Sequence, residues 1–168
     1  SIADRAFVFV QPIMLRTNRA ADIEKVLAKY PTKRSAVMPL LNLAQEEYGY
    51  CSPEAIREVA AICDLDPTEV KSVVGFYTMF YEEKVGATVI DVCDDLPCAL
   101  RGADGFVAHC ERKLGIKAGE TTADGKITLH SVMCVAACNR APVAQVNGAY
   151  RYDLTPETFD QMVDELQK

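Results

Sequence analysis

The first half of the chain places apolar residues at the three- and four-residue spacing of amphipathic helices. Four such stripes lie between residues 20 and 83, and the second is closed by Gly49. The third and fourth begin at Ser52-Pro53 and Asp66-Pro67, each a capping residue followed by proline. The pattern predicts four short helices that form a small bundle. Their expected inward residues are Ile23, Val26, Leu27 and Tyr30; Val37, Leu40, Leu41, Ala44 and Tyr48; Ile56, Val59, Ala60 and Cys63; and Val70, Val73, Val74 and Tyr77.

After Lys84 the period changes, and short β-branched runs alternate with helical stretches. The predicted elements are strands at 88–92 and 127–129, a helix at 103–114, a hairpin around Asn147-Gly148 and a last helix from Thr155-Pro156. The last helix is expected to bury Phe159, Met162, Val163 and Leu166. The order β-α-β-β-α predicts a small α/β layer domain.

Composition and charge narrow the function classes. The 168 residues are 49% hydrophobic and 25% charged, as in globular proteins, and the formal net charge is −6. Neither half carries a basic stripe, which argues against a nucleic-acid partner. The longest apolar run, Val132 to Cys138, is far shorter than the roughly 18–20 residues of a membrane helix, so no membrane insertion is expected.

Seven cysteines are the main chemical signal. An odd number without a secretory signal argues against a disulfide framework. Cys51, Cys63 and Cys110 are interpreted as small hydrophobic residues, since Cys63 and Cys110 fall on helical apolar stripes. The other four form two pairs, Cys93 with Cys98 and Cys134 with Cys138.

The two pairs have the spacings C-x4-C and C-x3-C, and both are expected in loops of the α/β domain. Four thiolates from two loops satisfy a two-iron, two-sulfide cluster, in which each iron takes two cysteine sulfurs. Structural zinc also takes four cysteines, and spacing alone leaves zinc and the cluster nearly equal. A Rieske centre is not indicated, because His109 and His130 lack C-x-H spacing and are interpreted as a helix-surface and a strand-end residue.

No other motif indicates chemistry. The chain has no G-x-G-x-x-G, no P-loop and no G-x-S-x-G sequence. Asp94 and Asp95 follow Cys93 directly. Their charge would lower the reduction potential of a cluster, or they would simply lie on a solvated loop; the sequence leaves both interpretations open.

Several stretches together resemble one family, the 24 kDa-type (E) [2Fe–2S] subunits of respiratory complex I, the NADH:quinone oxidoreductase. The resemblance runs from about residue 22 to the C-terminus, and both cysteine pairs align with the family's ligands. The other matching stretches are Tyr30-Pro31, Met38-Pro39-Leu40-Leu41, Leu43-Ala44-Gln45, Phe76-Tyr77-Thr78-Met79-Phe80, Leu114-Gly115-Ile116-Lys117, Gly119-Glu120-Thr121-Thr122 and Ala141-Pro142. One departure is Ala136, where the family commonly has glycine; alanine there is expected to limit a positive φ.

The resemblance implies an α+β and α/β architecture in three parts: an N-terminal arm at 1–19, a helical bundle at 20–84 and a thioredoxin-like [2Fe–2S] ferredoxin domain at 85–168. It implies one [2Fe–2S] cluster on Cys93, Cys98, Cys134 and Cys138. It also implies a flavoprotein partner that holds FMN and oxidises NADH, together with other peripheral-arm subunits. The chain would be a subunit of an oxidoreductase, without a substrate site of its own.

Three alternatives remain open at this point. Related subunits of soluble NAD-linked hydrogenases and formate dehydrogenases share the four ligands, although the Phe76–Phe80 stretch favours complex I. A zinc-stapled interaction module is more remote, and a stand-alone thioredoxin-like carrier would bind the cluster without a flavoprotein partner. We expect a bacterial cytoplasmic location at the inner face of the cell membrane, rather than the matrix side of a mitochondrial membrane.

Overall fold

The computed structural model describes residues 14–167, and the chain divides into two compact units between Lys84 and Val85. Residues 1–13 of the predicted arm lie outside the described residues. Within residues 14–167, no helix has both the length and the apolar character needed to cross a bilayer.

The first unit is built from helices around a single apolar core. Four of its helices correspond to the four predicted stripes, and the third and fourth of these begin at the predicted capping residues. Ser52 accepts a hydrogen bond from the Ala55 amide at 3.1 Å, and Asp66 accepts one from the Thr68 amide at 2.8 Å. The elements are α1 (Leu15–Asn18), α2 (Ala20–Leu27), a 3₁₀ turn (Lys33–Ala36), α3 (Val37–Tyr48), α4 (Pro53–Cys63) and α5 (Pro67–Phe76).

The described end of the predicted arm is part of this core. Leu15 is completely buried among residues of helices α2 to α5. The Arg16 amide donates a hydrogen bond of 2.9 Å to Glu58, a carboxylate that is only 2% exposed. The Tyr48 hydroxyl donates to the other oxygen of Glu58 at 2.8 Å. Burial, and then this carboxylate, raise the pKa of Tyr48.

Three residues at the ends of predicted stripes are exposed instead of buried. Tyr30, Tyr77 and Leu166 are 38%, 40% and 37% exposed. Tyr30 and Tyr77 follow the last residues of α2 and α5, so the helical period no longer directs them inward. Leu166 is the last helical residue of its element, where the apolar stripe has no further layer to pack against.

The second unit is a four-stranded mixed sheet with the order β2-β1-β3-β4. Strand β1 (Thr88–Cys93) pairs in parallel with β2 (Ile127–Val132) and antiparallel with β3 (Ala144–Val146), which pairs antiparallel with β4 (Ala149–Arg151). Asn147 and Gly148 have φ values of 48° and 79°, as a tight hairpin turn requires, so the predicted hairpin is confirmed. Strand β2 extends three residues beyond its predicted end because its pairing with β1 continues to Val132.

Helices cover this sheet and complete its core. The helices are α6 (Leu96–Ala99), α7 (Ala103–Leu114) and α8 (Pro156–Leu166), and a 3₁₀ turn spans Cys138–Arg140. Helices α7 and α8 share a buried cluster with Ile90 and Leu129 of the sheet. Within it, the rings of Phe106 and Phe159 meet edge to face at 5.7 Å. Gly115 ends α7 with a φ of 68°, as its position after the apolar stripe predicts.

The sheet core gives a direct test of this packing. We expect Leu129→Ala to lower the free energy of unfolding by about 2–5 kcal/mol, because Leu129 is completely buried and its removal leaves a cavity. The matched control is Leu100→Ala, since Leu100 is 81% exposed in the same unit, and it should change stability by less than about 0.5 kcal/mol. Urea denaturation followed by circular dichroism measures both. Equal losses in the two variants would contradict the assigned core.

Candidate metal centre

The sheet places both cysteine pairs at one end of β1 and β2. Cys93 is the last residue of β1 and pairs in register with Val132, the last residue of β2, so Cys134 follows two residues beyond that partner. The Cys93 amide donates to Val143 at 3.1 Å, and the Asp94 amide donates to Val132 at 2.9 Å. The backbone of the first pair is therefore fixed from both neighbouring segments.

Cys98 lies on helix α6, whereas the sequence predicted a loop for this pair. Asp95 and Pro97 supply an N-cap position and a first-turn proline, which allow a single helical turn between the two cysteines. Cys93 and Cys98 are both buried. Burial, and then the neighbouring Cys93 sulfur, raise the pKa of the Cys98 thiol to about 12.

The second pair has the opposite environment, because Cys134 and Cys138 are both exposed. Between them, Ala136 has a φ of 59°. The expectation that alanine at this position limits a positive φ is therefore wrong. The Ala136 amide donates a hydrogen bond of 3.3 Å to the Cys134 Sγ atom. Loss of hydration, and then the Cys134 sulfur, raise the pKa of Cys138.

A hydrogen bond joins the first pair to the segment that carries the second. The Cys93 thiol donates 3.2 Å to the carbonyl oxygen of Met133, the residue directly before Cys134. Among residues 14–167, no group of three or more His, Cys, Asp or Glu side chains is arranged to hold a metal ion. Two adjacent thiol pairs match the donor set of a two-iron group, in which each iron takes two sulfurs.

Small apolar side chains surround the buried pair. Cys93 and Cys98 share a cluster with Ala103, Ala137, Ala141 and Val143. Such a wall limits water near the sulfurs and leaves the backbone close to them, and both properties tune an iron–sulfur site.

Asp94 and the two histidines make polar contacts within the second unit. Asp94 accepts a hydrogen bond of 2.6 Å from the Ser131 hydroxyl, so it is not simply a solvated loop residue. His130 lies 2.9 Å from Asp91, and His109 lies 2.8 Å from Asp160. Each of the two histidines thus contacts a carboxylate.

The three remaining cysteines are buried in apolar clusters that contain neither pair. Cys51 and Cys63 belong to the core of the first unit, and Cys110 belongs to the sheet core of the second. Burial raises the pKa of Cys51 to about 11 and that of Cys110 to about 12. It also raises the pKa of Cys63. All three thiols therefore stay protonated at neutral pH, as small core residues do.

One neighbour of the second pair carried no sequence signal. The Tyr150 hydroxyl donates a hydrogen bond of 2.7 Å to the Val135 carbonyl, between Cys134 and Cys138. Tyr150 lies on β4, directly after the Asn147-Gly148 turn. The sequence predicts this hairpin but not the path of the cysteine loop, so it does not predict the hydrogen bond.

Comparisons with known proteins identify the family of the chain. Residues 23–167 match the sequence profile of the thioredoxin-like [2Fe-2S] ferredoxin family. The E-type subunit of the NADH-quinone oxidoreductase of Rickettsia conorii is 44% identical over 147 residues, which cover 86% of this chain and 88% of that protein. The mitochondrial NADH dehydrogenase [ubiquinone] flavoprotein 2 of Dictyostelium discoideum is 41% identical over 148 residues, or 86% of this chain and 60% of that protein.

Among solved structures, a chain of the NAD+-reducing [NiFe]-hydrogenase in its H2-reduced state superimposes with a TM-score of 0.67. The match covers 76% of this chain and 22% of that one at 22% identity, and at this identity it shows a shared fold alone. The sequence profile and the curated relatives each cover most of the chain. The chain therefore belongs to the thioredoxin-like [2Fe–2S] ferredoxin family, among the E-type subunits of NADH-quinone oxidoreductase.

Proposed function

We propose that this chain is the electron-carrying E-type subunit of an NADH:quinone oxidoreductase, in which Cys93, Cys98, Cys134 and Cys138 hold one [2Fe–2S] cluster. The observation that carries the proposal is the β1–β2 register, which sets Cys93 opposite Val132 and so brings the two cysteine-bearing segments to the same end of the sheet. When bound, the cluster supplies one-electron transfer. The FMN and NADH sites belong to the partner subunit, and no substrate site is proposed for this chain.

The two pairs contribute differently to such a centre. Cys93 and Cys98 are held by a strand end and a helical turn, so their positions depend on backbone pairing. Cys134 and Cys138 face solvent on a loop, where the Ala136 amide donates to sulfur. Such amide donors stabilise negative charge on ligand sulfurs, and this helps the chain's own backbone to hold thiolates rather than thiols.

We place the docking surface for the flavoprotein partner around the cysteines. Leu96, Leu100 and Met133 are 68%, 81% and 80% exposed. Leu96 lies between Cys93 and Cys98, Leu100 follows Cys98, and Met133 precedes Cys134. Exposed apolar patches are typical of protein–protein contact sites, and all three of these side chains lie within two residues of a proposed ligand in the sequence.

The helices between residues 20 and 84 form an N-terminal bundle ahead of the ferredoxin domain. We further propose that the chain acts at the inner face of a bacterial cell membrane through its partner subunits.

Replacing any one of the four proposed ligands should abolish the centre. The wild-type chain, purified or reconstituted without oxygen, should be red-brown, contain about two iron atoms and give a rhombic EPR signal after dithionite reduction. Alanine at Cys93, Cys98, Cys134 or Cys138 should remove the colour and the signal, because one iron then lacks a sulfur. Visible absorption, iron analysis and EPR measure this.

The same substitution at Cys51 and Cys63 is the control. Both are buried cysteines of the first unit, so their alanine variants should keep the colour and the signal. A colourless wild-type protein with stoichiometric zinc after anaerobic reconstitution would overturn the proposal in favour of the zinc module.

The docking surface predicts a separable effect on binding. Replacing both Leu100 and Met133 by glutamate should raise the Kd for the NADH-oxidising flavoprotein subunit by at least about ten-fold, because charges would be buried at the contact. The control is Leu166→Glu, a partly exposed leucine at the end of α8. Calorimetry measures the Kd, and the visible spectrum shows that each variant keeps its centre. Unchanged affinity in the double variant would exclude this surface.

A further inference from the structure

The peptide unit between Val135 and Ala136 is held at both of its polar ends. Its carbonyl oxygen accepts a hydrogen bond of 2.7 Å from the Tyr150 hydroxyl. Its N–H donates a hydrogen bond of 3.3 Å to the Cys134 Sγ atom. Because the C=O and N–H of a trans peptide point in opposite directions, fixing the carbonyl on one side aims the N–H on the other.

This peptide leads into an unfavourable backbone conformation. Ala136 has a φ of 59°, in the left-handed region that residues with a Cβ atom seldom adopt. Such a conformation persists only where surrounding contacts impose it. Ala137 on one side is buried in the cluster around Cys93 and Cys98, and the Tyr150 hydrogen bond holds the peptide on the other side, so both contacts can impose it.

Tyr150 is itself fixed in place by its neighbours. Its ring stacks on Tyr152 with centroids 5.4 Å apart and planes 7° from parallel. The Arg140 guanidinium lies 4.7 Å from the centre of the Tyr152 ring. Its Nε atom donates a hydrogen bond of 2.6 Å to the Asp153 carboxylate. The Asp153 amide in turn donates to the Arg140 carbonyl at 2.9 Å. These contacts restrict rotation of the Tyr150 side chain and so fix the position of its hydroxyl.

We propose that Tyr150 is a positioning residue for the cluster: its hydroxyl orients the Val135–Ala136 peptide so that the Ala136 N–H points at the Cys134 sulfur. The inference rests on the proposed function, since it assumes that Cys134 is a ligand. An N–H donated to a ligand sulfur stabilises the more negative, reduced centre and raises its reduction potential. Tyr150 thus acts on the potential through the backbone, without touching a sulfur.

The test compares two tyrosines that differ in this hydrogen bond. Tyr150→Phe removes the hydroxyl and keeps the ring that stacks on Tyr152. We expect a more negative midpoint potential, shifted EPR g values and iron loss to a chelator that is about five-fold faster, which corresponds to about 1 kcal/mol. Tyr152→Phe is the control, because among residues 14–167 the Tyr152 hydroxyl makes no hydrogen bond, and it should match the wild type.

A second comparison separates positioning from general destabilisation. Glycine adopts the left-handed conformation freely, so in an Ala136→Gly background the peptide depends less on Tyr150. The effect of Tyr150→Phe on iron loss should therefore be smaller in that background, which a double-mutant cycle measures. Equal effects in both backgrounds would overturn the proposal. So would a Tyr150→Phe variant that matches Tyr152→Phe in potential and iron loss.

The metal-free chain distinguishes failure of this inference from failure of the proposed function. If the wild type takes up no cluster, the proposed function fails, yet the Ala136 amide can still be followed by hydrogen exchange. Faster exchange at Ala136 in Tyr150→Phe than in Tyr152→Phe supports the positioning role. Equal exchange in the two metal-free variants overturns it.

Discussion

Parallel pairing between β1 and β2 is the constraint on which the cysteine site depends. Its register sets Cys93 opposite Val132, and the two cysteine-bearing segments leave the sheet side by side. A slip of one residue would turn the strand's side chains to the opposite face and move Cys93 away from the second loop. The antiparallel partner β3 holds β1 from its other edge. Two neighbours on opposite sides therefore make such a slip costly.

The two cysteine pairs are positioned by different kinds of structure. The first pair depends on regular elements, a strand end and one helical turn, within a wall of small apolar residues. The second pair lies on an exposed segment whose shape is set by individual contacts, among them the Tyr150 hydroxyl. The position of the first pair depends on many backbone hydrogen bonds, whereas the conformation of the exposed segment depends on a few contacts.

Local signals made much of the fold predictable from the sequence. Helix caps and tight turns depend on contacts between residues that are close in the sequence. The predicted roles are confirmed for the caps Ser52 and Asp66, the helix end at Gly115 and the Asn147-Gly148 turn. The four cysteines were recognised by spacing and by resemblance to a family. The single helical turn that carries Cys98 was not predicted, because four residues between two cysteines are too few for a periodic pattern. The hydrogen bond from Tyr150 to Val135 was also not predicted. It depends on how the hairpin packs against the cysteine loop, and local sequence patterns do not specify that packing.

The unequal burial of the two pairs has a consequence for how the centre is assembled and repaired. Cys93 and Cys98 are closed off by protein, while Cys134 and Cys138 are open to solvent. A protein that delivers iron and sulfide, or an oxidant that attacks the site, must therefore meet the exposed thiols first. In the proposed centre, the exposed loop would be both the entry for iron and sulfide and the route by which an oxidant reaches the cluster, and a bound partner that covers the loop would close both.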